Sequence, residues 1–295
     1  MQKRSNAAPS KDCVYLVIDD SNRNQGITDR LKTAVGLCYL SRRSGVDFKF
    51  VHRAGFDFRD YLKPNKIDWS AEFSELPRTF EPFCYLPPYD ALPEFEPGKA
   101  YLCKDFIGRN VIESSNVPDW ERVWRELFWE MFTPTDRVLD ALARNETPER
   151  YAVVNARFVN SLGVFEDVPL YNEPFPPETQ TRIIEATLAK VEECAEDFAK
   201  ESDAPIVVYS DSVRFLNAAA ERGFLVCNPE GIGHIMNYGV DEIVYLKTFV
   251  NLFWCARAEK IYSILHVDGV PEKSLYKTQF PRYAAIIGDK PFVRV

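Results

Sequence analysis

The residue in this sequence best placed to do chemistry is an arginine that closes an apolar run. Tyr151-Ala-Val-Val-Asn-Ala-Arg157 has the length and composition of a strand, with the cation at its carboxyl end. A guanidinium presents a fork of donors that matches phosphate or carboxylate oxygens, and burying it without such a partner is costly. Asn155-Ala-Arg157 is therefore a candidate phosphate site. Two further polar sets recur at comparable places. Ser210-Asp211-Ser212 follows the apolar run 205–209, and Thr278, Gln279 and Phe280 open a late helical stretch. In open α/β sheets ligands sit in the crevice beyond the carboxyl ends of the strands, and helix amino termini attract anions. Asp211 could accept hydrogen bonds from a ribose or a base, and Thr278 could offer a hydroxyl and a backbone N–H to a phosphate. Each set also has a plainer reading. Arg157 could be half of a salt bridge at a domain seam, and Ser210, Asp211 and Thr278 could be helix caps, Ser210 above all.

A second candidate lies near the amino terminus. Asn24, Gln25 and Gly26 stand where the apolar run 13–18 gives way to a helical pattern. A glycine at a helix start permits close backbone approach by an anion; an ordinary strand-to-helix loop would look the same. The histidines His52, His234 and His266 are isolated, and no pair has metal-ligand spacing. No His-Glu-x-x-His, Gly-x-Ser-x-Gly, Walker loop or Asp-x-Asp triplet is present. The expectation is no metal and no cofactor, so a bound diphosphate would be neutralised by arginine and helix dipoles.

The elements that must carry these residues alternate. A strand at 13–18, a helix from Gly26 that ends in Arg42-Arg43-Ser-Gly45, and a strand at 46–51 form a right-handed βαβ unit. Prolines 77, 82, 87, 88, 93 and 97 predict an extended, aromatic-rich excursion between Ser70 and Lys99, of the kind that lines binding sites. A strand at 100–103 and helices at 119–132 and 135–143 complete the first half. After the polar break Arg144-Asn-Glu-Thr-Pro148 come strands at 151–155, 205–209, 224–227 and 260–263. Helices at about 177–200, from a Ser210-Asp-Ser212 cap through Arg222, from an Asp241 cap to about 258, and from 279 to a stop at Gly288 separate or follow them. Such alternation means parallel sheets. The expected domains are 1–147 and 148–295, a twin-Rossmann architecture.

Composition excludes several classes. A chain of 295 residues with 46% hydrophobic and 27% charged residues is globular, and its net charge of −8 argues against broad nucleic-acid binding. No apolar run approaches bilayer length, and the leader 1–10 lacks the apolar core of a signal peptide. Seven cysteines without a Cys-x-x-Cys pair read as reduced thiols of a cytoplasmic protein.

The ordered set of motifs resembles GDP-fucose-dependent fucosyltransferases of the bacterial nodulation and protein O-fucosyltransferase type. Gly26-Ile-Thr-Asp-Arg-Leu31, the strand 46–51 and Leu62-Lys-Pro64 resemble the start of that group. Asn155-Ala-Arg157 resembles its His-x-Arg motif, Tyr209-Ser-Asp-Ser212 its Ser-Asp strand end, and Thr278-Gln-Phe280 with Ala284-Ala285 its last helix start. The resemblance spans nearly the whole chain. It implies a GT-B fold of two Rossmann-like domains facing across a cleft and an inverting, metal-independent transfer of fucose from the nucleotide sugar to a glycan or glycolipid hydroxyl. It further implies that Arg157 binds the donor phosphate, that Asp211 contacts the nucleoside, and that Thr278 and Phe280 hold phosphate and base. Asn155 departs from the motif's histidine: it can donate a hydrogen bond but cannot titrate. The base is left open, with Asp20 and Asp29 as candidates. Transfer from another nucleotide sugar, and nucleotide-sugar or glycan binding without catalysis, remain alternatives.

Overall fold

A computed structural model describes residues 12–19, 26–83, 93–104, 110–145, 147–163, 173–227 and 242–295. The chain divides into two compact units, Met1–Arg137 and Val138–Val295, ahead of the expected 147/148 seam.

In the first unit β1 (Cys13–Ile18) is buried along its whole length, as a strand covered on both faces must be. Helix α1 (Ile27–Ser44) returns the chain and is stopped by Gly45, whose φ of 68° is open to glycine at no steric cost. Strand β2 (Asp47–His52) then pairs parallel to β1, Ile18 opposite His52. The short strands β3 (Leu62–Pro64), β4 (Glu81–Phe83) and β5 (Ala100–Cys103) follow, then α2 (Val111–Ser114), α3 (Trp120–Met131) and β6 (Phe132–Pro134). The parallel sheet has the order β2-β1-β5-β4, while β3 and β6 form a separate antiparallel ribbon. Within the extended excursion that the prolines predicted, the three residues of β4 join the sheet. Pro82 is tolerated there because β4 is an edge strand, where a missing N–H breaks no ladder on the open side.

Helix α4 (Asp136–Ala143) spans the division, and the second unit repeats the alternation. It comprises β7 (Ala152–Ala156), α5 (Pro177–Phe198), β8 (Ile206–Ser210), α6 (Val213–Glu221), β9 (Leu225–Val226), α7 (Glu242–Arg257), β10 (Ile261–Ile264), α8 (Phe280–Gly288) and β11 (Phe292–Arg294). All neighbours in the sheet are parallel, in the order β11-β10-β7-β8-β9. Strand order therefore reverses between β7 and β10, which is the place where Rossmann-type sheets open a ligand crevice. One face packs Val154, Ala156, Tyr262 and Ile264 against Ile183, Leu188, Phe215 and Leu216 of α5 and α6. Each such aliphatic or aromatic side chain, fully buried, stabilises the fold by about 1.5–3 kcal/mol. Side chains alternate along a strand, so Val153, Asn155, Tyr209 and Ser263 take the opposite face. On that face Tyr151 stacks on Trp254 of α7 and donates to its carbonyl at 2.7 Å.

Two local expectations change. Ser212, not Ser210, caps α6: its hydroxyl accepts the Phe215 N–H at 3.3 Å, while Ser210 Oγ accepts the Ser212 N–H. Gly288 is the last residue of α8, and Asp289 takes the left-handed cap at φ 55°. Close packing requires the glycine, because a Cβ there would lie 1.9 Å from the Ala256 carbonyl oxygen of α7. The predicted Asp241 cap lies outside the described residues.

Candidate functional site

The second unit draws its predicted residues together at the carboxyl end of its sheet. Arg157 follows β7 directly. Its Nη1 donates to Thr278 Oγ1 at 3.3 Å, its Nε lies 3.6 Å from Asp211 Oδ2, and its guanidinium sits 5.3 Å over the ring of Tyr276. The backbone is held too, since Arg157 O accepts the Tyr276 N–H at 2.7 Å. The Arg157 side chain is 23% exposed, so it is anchored on one side and open on another. A guanidinium has five N–H groups. Thr278 takes one, and the buried Nε–H makes no hydrogen bond but pairs electrostatically with Asp211 at 3.6 Å, which leaves the outer edge of the fork for a ligand.

Thr278 complements this arrangement. Its Oγ1 accepts from Arg157 and from the Phe280 N–H at 3.2 Å, which uses both acceptor positions and leaves the hydroxyl hydrogen to donate. It stands at the positive end of α8, where the helix dipole favours an anion. Phe280 packs against Tyr209 with ring centroids 5.9 Å apart. Gln279 is the α8 N-cap residue, and its carbonyl accepts the Tyr283 N–H.

Asp211, the residue expected to contact the nucleoside, accepts the Phe158 N–H on its Oδ1 at 2.8 Å and the Val159 N–H on its Oδ2 at 2.9 Å. Burial raises its carboxyl above the ordinary range, opposed by Arg157 and by these backbone donors. The turn it grips includes Val159 at φ 54°, a left-handed conformation that a β-branched residue adopts only at a cost of about 1–3 kcal/mol.

Asn155 is 3% exposed. Its Nδ2 donates to the Tyr209 carbonyl at 3.3 Å, and its Oδ1 has no hydrogen-bond partner. Ser263 is its register partner on β10, and Ser263 Oγ is also buried without one. These two orphans flank the strand pair at which the sheet order reverses. A buried polar atom without a partner carries a desolvation cost of about 1–3 kcal/mol, and such places recur at ligand sites. Sequence reasoning missed Ser263 and Tyr276. Ser263 lies in a four-residue strand with no distinguishing pattern, and Tyr276 is marked only by standing two residues before Thr278.

In the first unit, Gly26 is the N-cap residue of α1, and its carbonyl accepts the Asp29 and Arg30 N–H groups. Among the described residues a Cβ on Gly26 would meet nothing closer than Asp29 Oδ2 at 3.9 Å. Asp29, a candidate base, binds the ammonium of buried Lys32 at 2.6 Å. Asp20, Asn24 and Gln25 lie outside the described residues, as does His234. His52 is structural: Nε2 accepts from buried Arg30 at 2.5 Å and Nδ1 donates to the Phe56 carbonyl at 3.1 Å. Burial and the neighbouring Arg30 hold it neutral, its pKa well below the ordinary value. His266 is exposed beside Asp268. Among the described residues no three His, Cys, Asp or Glu side chains are grouped to hold a metal ion, and no helix is long and apolar enough to cross a membrane.

Both α/β units carry a parallel sheet, the second of five strands in Rossmann-type order, and the fold is GT-B. Solved structures agree over nearly the whole chain. The NodZ α-1,6-fucosyltransferase soaked with GDP-fucose superposes with a TM-score of 0.58 at 13% identity, covering 94% of this chain and 92% of that one. Fucosyltransferase NodZ from Bradyrhizobium gives 0.56 at 12% identity, covering 93% and 92%. The NodZ enzyme co-crystallised with GDP gives 0.55 at 12%, covering 93% and 91%. No protein-family model matches the chain, and no curated protein matches it at a significant level.

Proposed function

We propose that the chain is an inverting, metal-independent glycosyltransferase that moves fucose from GDP-fucose to a hydroxyl of a glycan or glycolipid acceptor. The observation that carries this reading is the anchored yet partly open Arg157, joined by the Thr278 hydroxyl at the amino terminus of α8, beside the order reversal of a GT-B nucleotide-type sheet. The fold likeness to an enzyme soaked with GDP-fucose supports the choice of donor.

In this reading the acceptor hydroxyl attacks the anomeric carbon from the side opposite the diphosphate. A bond forms from that oxygen to the carbon, the bond from carbon to phosphate oxygen breaks, and the hydroxyl proton passes to a base. Negative charge grows on the departing GDP, and Arg157, Thr278 and the α8 dipole would offset it. Asp20 and Asp29 stay the candidates for the base, although Asp29 already serves Lys32. The domain assignment that accompanies the reading gives the acceptor to the amino-terminal half and the nucleotide sugar to the carboxy-terminal half. The six cysteines among the described residues are all buried and free, which fits a cytoplasmic site of action on soluble or lipid-linked acceptors.

One observation favours a second reading, a nucleotide-sugar-binding protein without catalysis: the motif's titratable histidine is replaced by buried Asn155. Thermal-shift measurements with GDP, UDP, ADP and CMP test the donor. Selective stabilisation by GDP is expected, and a preference for UDP would turn the reading to another nucleotide sugar. Donor hydrolysis, followed as GDP release, then separates enzyme from binder.

A further inference from the structure

The turn that follows β7 is held in an unfavourable conformation, with one carboxylate accepting both of its successive N–H groups. Val159 has φ 54° and is buried, so neither a glycine's freedom nor solvent relieves it. The two successive N–H groups of Phe158 and Val159 both point to Asp211, one to each oxygen. The same carboxylate lies 3.6 Å from Arg157 Nε. On the far side the Arg157 carbonyl is bound by the Tyr276 N–H. Phe158 is wedged against Phe215 of α6, with ring centroids 4.9 Å apart. Asp211 thus fixes the backbone just after Arg157 and one edge of its side chain together.

We propose that Asp211 is a positioning residue: by pinning the left-handed Phe158–Val159 turn and the Nε edge of the guanidinium, it aims Arg157 at the diphosphate of the donor. This rests on the reading of Arg157 as the diphosphate anchor. It gives Asp211 a task within the protein, because each of its oxygens already accepts one N–H of the backbone that follows Arg157. An asparagine of the same shape could accept only one of the two N–H groups and would turn a donor toward the other. The guanidinium would also lose its counter-charge.

The test is a double-mutant cycle read by calorimetric GDP binding. Asp211→Asn is expected to weaken GDP at least tenfold in the wild-type background and less than twofold in an Arg157→Ala background, because Asp211 acts through the arginine. Adding Val159→Gly to Asp211→Asn removes the strain and should recover at least threefold of the lost affinity. Wild-type affinity in Asp211→Asn, or equal losses in both backgrounds, would overturn the proposal. If Asp211→Asn does not accumulate as folded protein, the Asp211→Asn/Val159→Gly pair is measured in its place, and failure of that pair to fold would make Asp211 a fold residue and end the positioning role. A wild-type chain that binds no GDP refutes the donor reading instead, so the two failures are distinguishable.

Discussion

Replacing Arg157 by alanine probes the reading where it is most exposed. The outer edge of the guanidinium is free among the described residues, while its inner edge is hydrogen-bonded to Thr278 and ion-paired with Asp211. If the free edge makes two charge-assisted hydrogen bonds to the donor diphosphate, at about 1.5–3 kcal/mol each, the variant forfeits about 3–6 kcal/mol. At 1.36 kcal/mol per factor of ten that is a fall of about 10²–10⁴ in kcat/KM. The part of the loss felt only as charge develops on the leaving GDP should show as kcat, and the remainder as KM. The fold should survive, because Asp211 keeps its two backbone donors and the arginine is 23% exposed. Arg157→Lys keeps the charge but loses the fork, and should fall between wild type and alanine. The assay is GDP release from GDP-fucose, with calorimetric GDP binding as the companion and circular dichroism as the check on folding. A folded Arg157→Ala protein with GDP affinity and turnover within about threefold of wild type would refute the reasoning.

Other outcomes follow from the packing and the charges. Gly288→Ala should destabilise the second unit by about 3 kcal/mol, the upper end of the usual overpacking cost, since an added Cβ at 1.9 Å from the Ala256 carbonyl oxygen forces backbone of α7 and α8 apart; a melting temperature equal to wild type would contradict the close approach. His52 has a depressed pKa in the folded chain, so its contribution to stability is present above the unfolded value of about 6.5 and is lost as pH falls. Between pH 7.5 and 5.5 the wild type should lose about 1.4 kcal/mol more than His52→Gln, read from the hydrogen-exchange opening energies of β2 amides. Equal losses would mean that His52 already takes up a proton when folded.

Much of the architecture was legible in the chain because it is written in local periodicity. The apolar runs that become β1, β7 and β8, and the amphipathic stretches that become α1, α5 and α6, declare themselves within a few residues of their observed bounds. The strands that escaped notice, β3, β4, β6 and β11, are each three residues long, too short for alternation to register. Their pairing comes from neighbours supplied by distant parts of the chain. The glycine at 288 was misread for a related reason: its requirement comes from α7 crossing above it, which no spacing within α8 reveals.

The sequence by itself determined that strands and helices alternate in two halves, and that Arg157, Asp211 and Thr278 stand at strand ends and a helix start. Those are properties of short segments, fixed by side-chain periodicity and by where apolar runs stop. Tertiary structure alone decided the strand order, which puts the reversal between β7 and β10 and sets Asn155 beside Ser263. It alone slid Tyr276 beneath the guanidinium and turned Asp211 onto the backbone of a strained turn. These are contacts between residues dozens of positions apart, and they exist only once long-range packing has repaid the entropy of bringing them together.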